Sequence, residues 1–238
     1  MRGEYLLFNL LIVLGPVVLS FDDKVRYVKR WPAALLASGV ILFPYLLWDA
    51  SVQGVHWWFN PKYTLPFRLL GLPAGEWLFF ITVPFASLFI WEIIDRARPP
   101  HFTSRLRIVR ILAQLGAIPG IAFYLSGRHY TGLTLLVLAL VATLDRLMAT
   151  RLLEQPRAYL YLSLLTAAMF IFNGYLTARP VVLYDPTYQL NLRLLTIPIE
   201  DFFYGYGHLL LCTMVYQKLR RNGRWVNASS SSAADSAD

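Results

Sequence analysis

The sequence predicts an all-α integral membrane protein: seven transmembrane helices, arranged as two parallel three-helix repeats joined by a connector helix. Three observations predict it. The 238 residues are 57% hydrophobic and 15% charged, with a mean hydropathy of +0.48, far above that of a soluble domain. Apolar runs long enough to span a bilayer recur along the chain. Loop residues of the first half return in the second half at a spacing of 124 to 125.

In order, the expected spans are 5–21, 31–48, 77–94, 108–126, 131–148, 159–176 and 202–218. The first lacks a basic n-region and a small-residue cleavage site, so it is expected to be retained as a helix. Pro32 suits the first turn of the second. Asp145 and Arg146 shorten the fifth, and Gly205, Gly207 and His208 dilute the seventh. The loops after the second and sixth spans are long and rich in proline and aromatics, and are expected to pack at the interface.

Basic residues set the orientation. Lys24, Arg26, Lys29 and Arg30 follow span one, and Arg96, Arg98, Arg105 and Arg107 follow span three. Arg146, Arg151 and Arg157 follow span five, and Lys218, Arg220, Arg221 and Arg224 follow span seven. The positive-inside rule then puts the N-terminus outside and the C-terminus in the cytoplasm. The net charge of +8 sits in these short loops, which is how membrane proteins carry it, and speaks against a nucleic-acid partner. Cys212 is the lone cysteine, so no disulfide framework or thiolate metal site is available. The Ser/Ala/Asp tail is too polar to fold, and the sequon at Asn227 carries no meaning on the cytoplasmic side.

The repeat is carried by loop residues, where hydrophobicity imposes nothing. Trp31 to Leu36 aligns with Gln155 to Leu160, sharing Pro32 with Pro156. Asn60-Pro-Lys-Tyr63 aligns with Asp185-Pro-Thr-Tyr188, Arg68-Leu-Leu70 with Arg193-Leu-Leu195, Pro73 with Pro198, and Glu76 with Asp201. The expected units are residues 1–98, a connector at 99–128, a second repeat at 129–221 and a disordered cytoplasmic tail at 222–238. An odd connector gives both repeats the same orientation, with a site where they meet.

The chemistry concentrates in Pro198-Ile-Glu-Asp201, followed by Phe202, Phe203, Tyr204, Tyr206 and His208. Acids in a helix's first turn are favoured simply because they answer the helix dipole. Their recurrence at Glu76, in a chain with 14 acids, weighs toward function, as does placement of an ionisable group in a membrane region. Taken alone, the residues point to proton chemistry or proton coupling on an apolar molecule.

The Pro-x-Glu-Asp motif, the Asn/Asp-Pro-x-Tyr loop before it and the tandem three-helix repeats resemble the lycopene cyclase domain family, over nearly the whole chain to residue 218. The form resembled is the fusion of the two bacterial subunits, related to the cyclase domain of fungal bifunctional enzymes. In the first copy, Pro73-Ala-Gly-Glu76, Gly75 stands where the family has its leading glutamate, which moves the catalytic expectation to the second repeat.

The resemblance implies a lycopene β-cyclase, an isomerase that protonates a terminal alkene, closes a ring on the cation and removes a different proton. Lycopene or a similar linear carotenoid is the implied substrate, cyclised to γ- or β-carotene, with ε- or γ-rings as the related outcome. No cofactor and no metal are called for. Glu200 is the expected donor and Asp201 its partner or the base, with Glu76 the matching acid of repeat one. Two adjacent carboxyls resist double ionisation, and desolvation acts the same way. Phe202, Phe203, Tyr204 and Tyr206 could steady the cation with their ring faces, with Trp77 in the matching stretch of repeat one. His208 lies on the same helix face, as a relay or as a hydrogen-bond donor to a neighbouring helix. Asp49 and Asn173 are matched positions that orient the acids or cap backbone, and Arg68 and Arg193 pair with the acids or anchor at headgroups. Glu92 and Arg96 read as a surface pair.

Other classes lack their motifs. There is no Gly-x-Gly-x-x-Gly after a strand, no Asp-x-x-x-Asp, no His-x-x-x-His and no lysine deep in the seventh span. A lipid-binding or proton-coupled transport protein remains the alternative of a different class. Membrane lipid, a second copy of the chain and other carotenoid enzymes are the remaining expected partners.

Overall fold

The computed structural model describes residues 2–221; the expected disordered tail at 222–238, Arg224 and the Asn227 sequon lie outside them. Each long apolar run folds as a helix, because in lipid a backbone must satisfy its own N–H and C=O groups. The helices are α1 (Glu4–Leu19), α2 (Trp31–Val52), α3 (Ala74–Ala97), α4 (Arg107–Leu115), α5 (Ala117–Leu125), α6 (His129–Leu147), α7 (Pro156–Ala178) and α8 (Ile199–Arg221). Pro32 and Pro156 sit in the first turns of α2 and α7, where a missing N–H costs nothing.

Five helical stretches are long and apolar enough to cross a membrane: 27–52, 74–97, 104–125, 129–147 and 156–178. The described residues are thus mostly helical and membrane-like in length and hydropathy. Of the expected spans, α1 is short at 16 residues, and the polar residues of α8 dilute its hydropathy. The expected fourth span is two helices, α4 and α5, meeting at Gly116. The α5–α6 contact is close because a side chain on Gly132 would lie 2.7 Å from the Gly120 carbonyl oxygen.

The loops after α2 and α7 are short-stranded rather than irregular. They form β1 (Trp57–Phe59), β2 (Arg68–Leu69) and β3 (Leu72–Pro73), then β4 (Val182–Tyr184), β5 (Arg193–Leu194) and β6 (Ile197–Pro198). Each second-half strand lies 125 residues after its first-half counterpart, and so do the starts of α6 and α8 after those of α1 and α3. The correspondence reaches the backbone: left-handed Arg26 and Leu70 recur as left-handed Arg151 and Leu195. β2 pairs with β3 and β5 with β6 as hairpins, whereas β1 pairs antiparallel with β4, joining the two halves. Trp58 faces Leu183, Trp57 faces Tyr184 and Phe59 faces Val182, a self-symmetric register because 58 and 183 are equivalent positions.

The two ends of the bundle differ in how they treat acids. At the end bearing the basic loops, Glu92 is fully buried rather than a surface pair. It lies 3.4 Å from Arg96, 3.1 Å from Arg220 and 3.8 Å from Arg30, and accepts from the Tyr216 hydroxyl at 2.7 Å. Asp95 pairs with Arg157 and Arg220, each at 2.7 Å, and Glu154 with Arg110 and Arg151. A buried charge is tolerable when paired and hydrogen-bonded, and each of these is.

Candidate active site

The opposite end gathers a group of acids that no arginine or lysine pairs with among the described residues. There the first turns of α3 and α8 meet the last turns of α2 and α7, which brings Glu76, Asp201, Asp49 and Asn173 to one level. Beneath the β1–β4 ladder, a largely apolar cavity of about 490 Å³ lies between α1, α3, α7 and α8. All four of these polar residues line it, together with Tyr204 and His208. No ion pair reaches Asp49, Glu76, Glu200 or Asp201 among the described residues. Arg68 and Arg193 do not pair with them: Arg68 donates to Thr64 and to nearby carbonyls, and Arg193 to the Thr196 carbonyl at 2.6 Å.

Asp201 accepts three hydrogen bonds. Tyr130 donates to Oδ1 at 2.7 Å, while Tyr184 at 2.6 Å and Asn173 at 2.9 Å donate to Oδ2. Hydrogen bonds to a charged group are worth roughly 1.5–3 kcal/mol each, so three of them hold the carboxyl firmly in one orientation. Burial, and next the Asp201 charge, push the Tyr184 phenol well above its ordinary pKa, so it serves as a donor only.

Glu76 and Asp49 form the second acidic group. The Tyr5 hydroxyl donates to Glu76 Oε2 at 2.5 Å, the Tyr204 hydroxyl to Asp49 Oδ1 at 2.9 Å, and the two carboxyls are neighbours in the cavity wall. Tyr5 and Tyr130 are equivalent positions, so both repeats build the same device: a tyrosine at the start of one helix fixes an acid at the start of another. A side chain on Gly75 would lie 2.6 Å from the Tyr5 ring, which explains the glycine at this position. Gly75 therefore makes room for the device in repeat one.

Glu200 points elsewhere. It is fully buried, and its Oε1 accepts from the Thr131 hydroxyl at 2.6 Å and from the Leu190 backbone N–H at 2.7 Å, tying the preceding loop to α8. It does not line the cavity. Consecutive residues project about 100° apart on a helix, and here Glu200 turns toward Thr131 and the Leu190 N–H while Asp201 turns into the cavity. The carboxyl pair expected from their adjacency is found instead between Asp49 and Glu76.

Among the expected aromatics, Tyr204 lines the cavity, but Phe202, Phe203, Tyr206 and Trp77 do not. Phe202 packs on Phe170, Tyr206 shares a 2.6 Å hydrogen bond with Thr166, and Trp77 donates to the Leu69 carbonyl at 3.1 Å. His208 lines the cavity, but through ring contacts with Tyr45 at 4.5 Å and Phe80 at 5.3 Å, and its Nε2 has no partner. Tyr5, Tyr130, Tyr184 and Trp57 were not expected at the site. The repeat spacing that matched Glu76 with Asp201 also matches Tyr5 with Tyr130, and was the available signal.

The arrangement can hold a proton on one acidic group and receive one on another, inside an aromatic, apolar space. A family model described as lycopene cyclase matches residues 4–94 and 127–219, the two repeat-like halves without α4 and α5. No curated protein and no solved structure matches the chain.

Proposed function

The chain belongs to the lycopene cyclase family, and we propose from that premise that it closes the ψ-ends of lycopene into β-ionone rings. Membership implies a carotenoid cyclase acting on a carotenoid. The single observation supporting the mechanism is the convergence of Asp49, Glu76 and Asp201 on one apolar cavity, with hydroxyl and amide partners and no cation.

The reaction is redox-neutral. One proton adds to the terminal alkene, and the resulting tertiary cation is attacked by the neighbouring double bond. A proton then leaves a carbon next to the new cationic centre. Which carbon loses it decides between β-, ε- and γ-rings. Two neighbouring carboxyls in an apolar cavity resist ionising together, so the Asp49–Glu76 pair is the proposed donor. Asp201, accepting three hydrogen bonds, is the proposed base. The rings of Trp57, Tyr130 and Tyr204 pack within 5.0 to 6.5 Å of one another and offer their faces to the cation. We place the protein in the bacterial inner membrane, basic end in the cytoplasm and acids toward the outer leaflet.

The test is expression in a lycopene-accumulating bacterium, with pigments separated by chromatography. A cyclic carotenoid is expected from the native chain and none from Asp201→Asn. Unchanged lycopene, with the native protein confirmed in the membrane, would return the acids to lipid binding or proton coupling.

A further inference from the structure

The cavity lies to one side of a nearly symmetric molecule. Exchanging the repeats maps its walls, α1, α3, α7 and α8, onto α6, α8, α2 and α3, where a second cleft would lie. The structure does not keep that second cleft open. Where the open cleft has Gly205, the equivalent position carries Phe80, completely buried; where it has Met169, the equivalent carries Tyr45, 3% exposed. Tyr45 wedges against α8, with its ring 4.5 Å from His208 and 5.0 Å from Tyr204. The fit is tight enough that a side chain on Gly207 would lie 3.0 Å from the Tyr45 hydroxyl and 2.7 Å from Val137. That hydroxyl is buried without a hydrogen-bond partner, so the residue fills space there at a cost in polar satisfaction.

What survives on the second side is a separate pocket of about 350 Å³. Its lining includes Leu133, Trp48 and Val52, the equivalents of Phe8, Phe172 and Leu176 in the open cleft. None of the acids lines it. Both acidic groups, although contributed by different repeats, face the single open cleft.

Resting on the cyclase reading, we infer that the chain has one polyene site and not two, with Tyr45 and Phe80 closing the other. The chain acts on one end of its substrate per visit. A polyene with two open ends must leave, reverse and re-enter for its second ring, so the monocyclic carotenoid is a released intermediate.

Two measurements test this. The detergent-solubilised chain is titrated with lycopene and the bound polyene counted after gel filtration. One lycopene per chain is expected, with a loss of more than tenfold in Gly205→Phe, which gives the open cleft the side chain of the closed one. Met169→Tyr serves the same purpose should the first variant not fold. Two lycopenes per chain, or undiminished binding in a folded variant, would overturn the inference. In the second measurement, the native chain converts isotopically labelled lycopene to the monocyclic stage, and a twentyfold excess of unlabelled lycopene is then added. A roughly twentyfold fall in labelled bicyclic product is expected, and an unchanged yield would overturn it. One lycopene bound per chain without any ring formation would sink the cyclase reading alone.

Discussion

Glu200 and Asp201 are adjacent in the chain, yet the helix sends one to the Leu190 backbone N–H and the other into the cavity. Substitution should separate them. Asp201→Asn is expected to lower ring formation at least about 100-fold, the range lost with a general acid or base, while the chain still retains lycopene. Glu200→Gln is expected to keep activity within about fivefold, since Gln can accept the same two hydrogen bonds, and to lose about 1 kcal/mol of stability. Carotenoid product per unit of protein, beside thermal unfolding in detergent, reads both. A dead Glu200→Gln with an active Asp201→Asn would reverse the assignment. The sequence showed the acids and their repetition. It did not show which acid faces the cavity, because adjacency in sequence says nothing of direction without the helix start. Tyr5 and Tyr130 escaped notice because each bonds an acid 71 residues away, a separation no local pattern reveals.

Helices were legible for a reason specific to lipid: spans must be long, apolar and internally hydrogen-bonded, so composition alone marks them. The expected 31–48 and 159–176 are observed as α2 from 31 to 52 and α7 from 156 to 178, the extra turns carrying Asp49 and the Pro156 start. The β1–β4 ladder was not legible, since three-residue strands are too short for an alternation signal and their partners lie in the other repeat. That ladder is nevertheless the roof of the site, with Trp57, Phe59, Val182 and Tyr184 lining the cavity and Trp58 and Leu183 absent from its lining. Residues directly opposed in an antiparallel pair have Cα atoms about 4.5–5.5 Å apart, within disulfide reach. Trp58→Cys combined with Leu183→Cys should therefore oxidise to a disulfide, seen by mass spectrometry of a proteolytic digest. Ring formation should stay within about twofold of native, because neither side chain reaches the substrate. Free thiols after oxidation would mean that the two loops do not pair in this register.

Across the whole molecule, charge is divided by function. Glu92, Asp95 and Glu154 at one end are each held by two or more arginines, which offset their charge and occupy their oxygens. At the other end Asp49, Glu76, Glu200 and Asp201 meet hydroxyls, an amide, a backbone N–H or another carboxyl and no arginine or lysine among the described residues, an environment in which protons can be exchanged. The same basic loops that stabilise the first end are, by the positive-inside rule, the basis of the orientation proposed above. In the proposed orientation the acid-bearing end approaches the outer interface, and an apolar polyene would reach it through the bilayer rather than through water. Leu11, Leu19 and Phe172 support that path, lining the cleft while remaining exposed on the outer face of the bundle. The orientation can be measured without touching the site. Thr187→Cys lies in the exposed loop at the acid end, and Asp23→Cys in the exposed loop at the basic end. In intact cells with the outer membrane permeabilised, a membrane-impermeant maleimide is expected to label Cys at 187 and spare Cys at 23 until the inner membrane is broken. The native Cys212 is buried and provides the blank. Labelling of 23 alone would put the acids on the cytoplasmic side, and the basic loops would then be stabilising buried carboxylates without directing insertion.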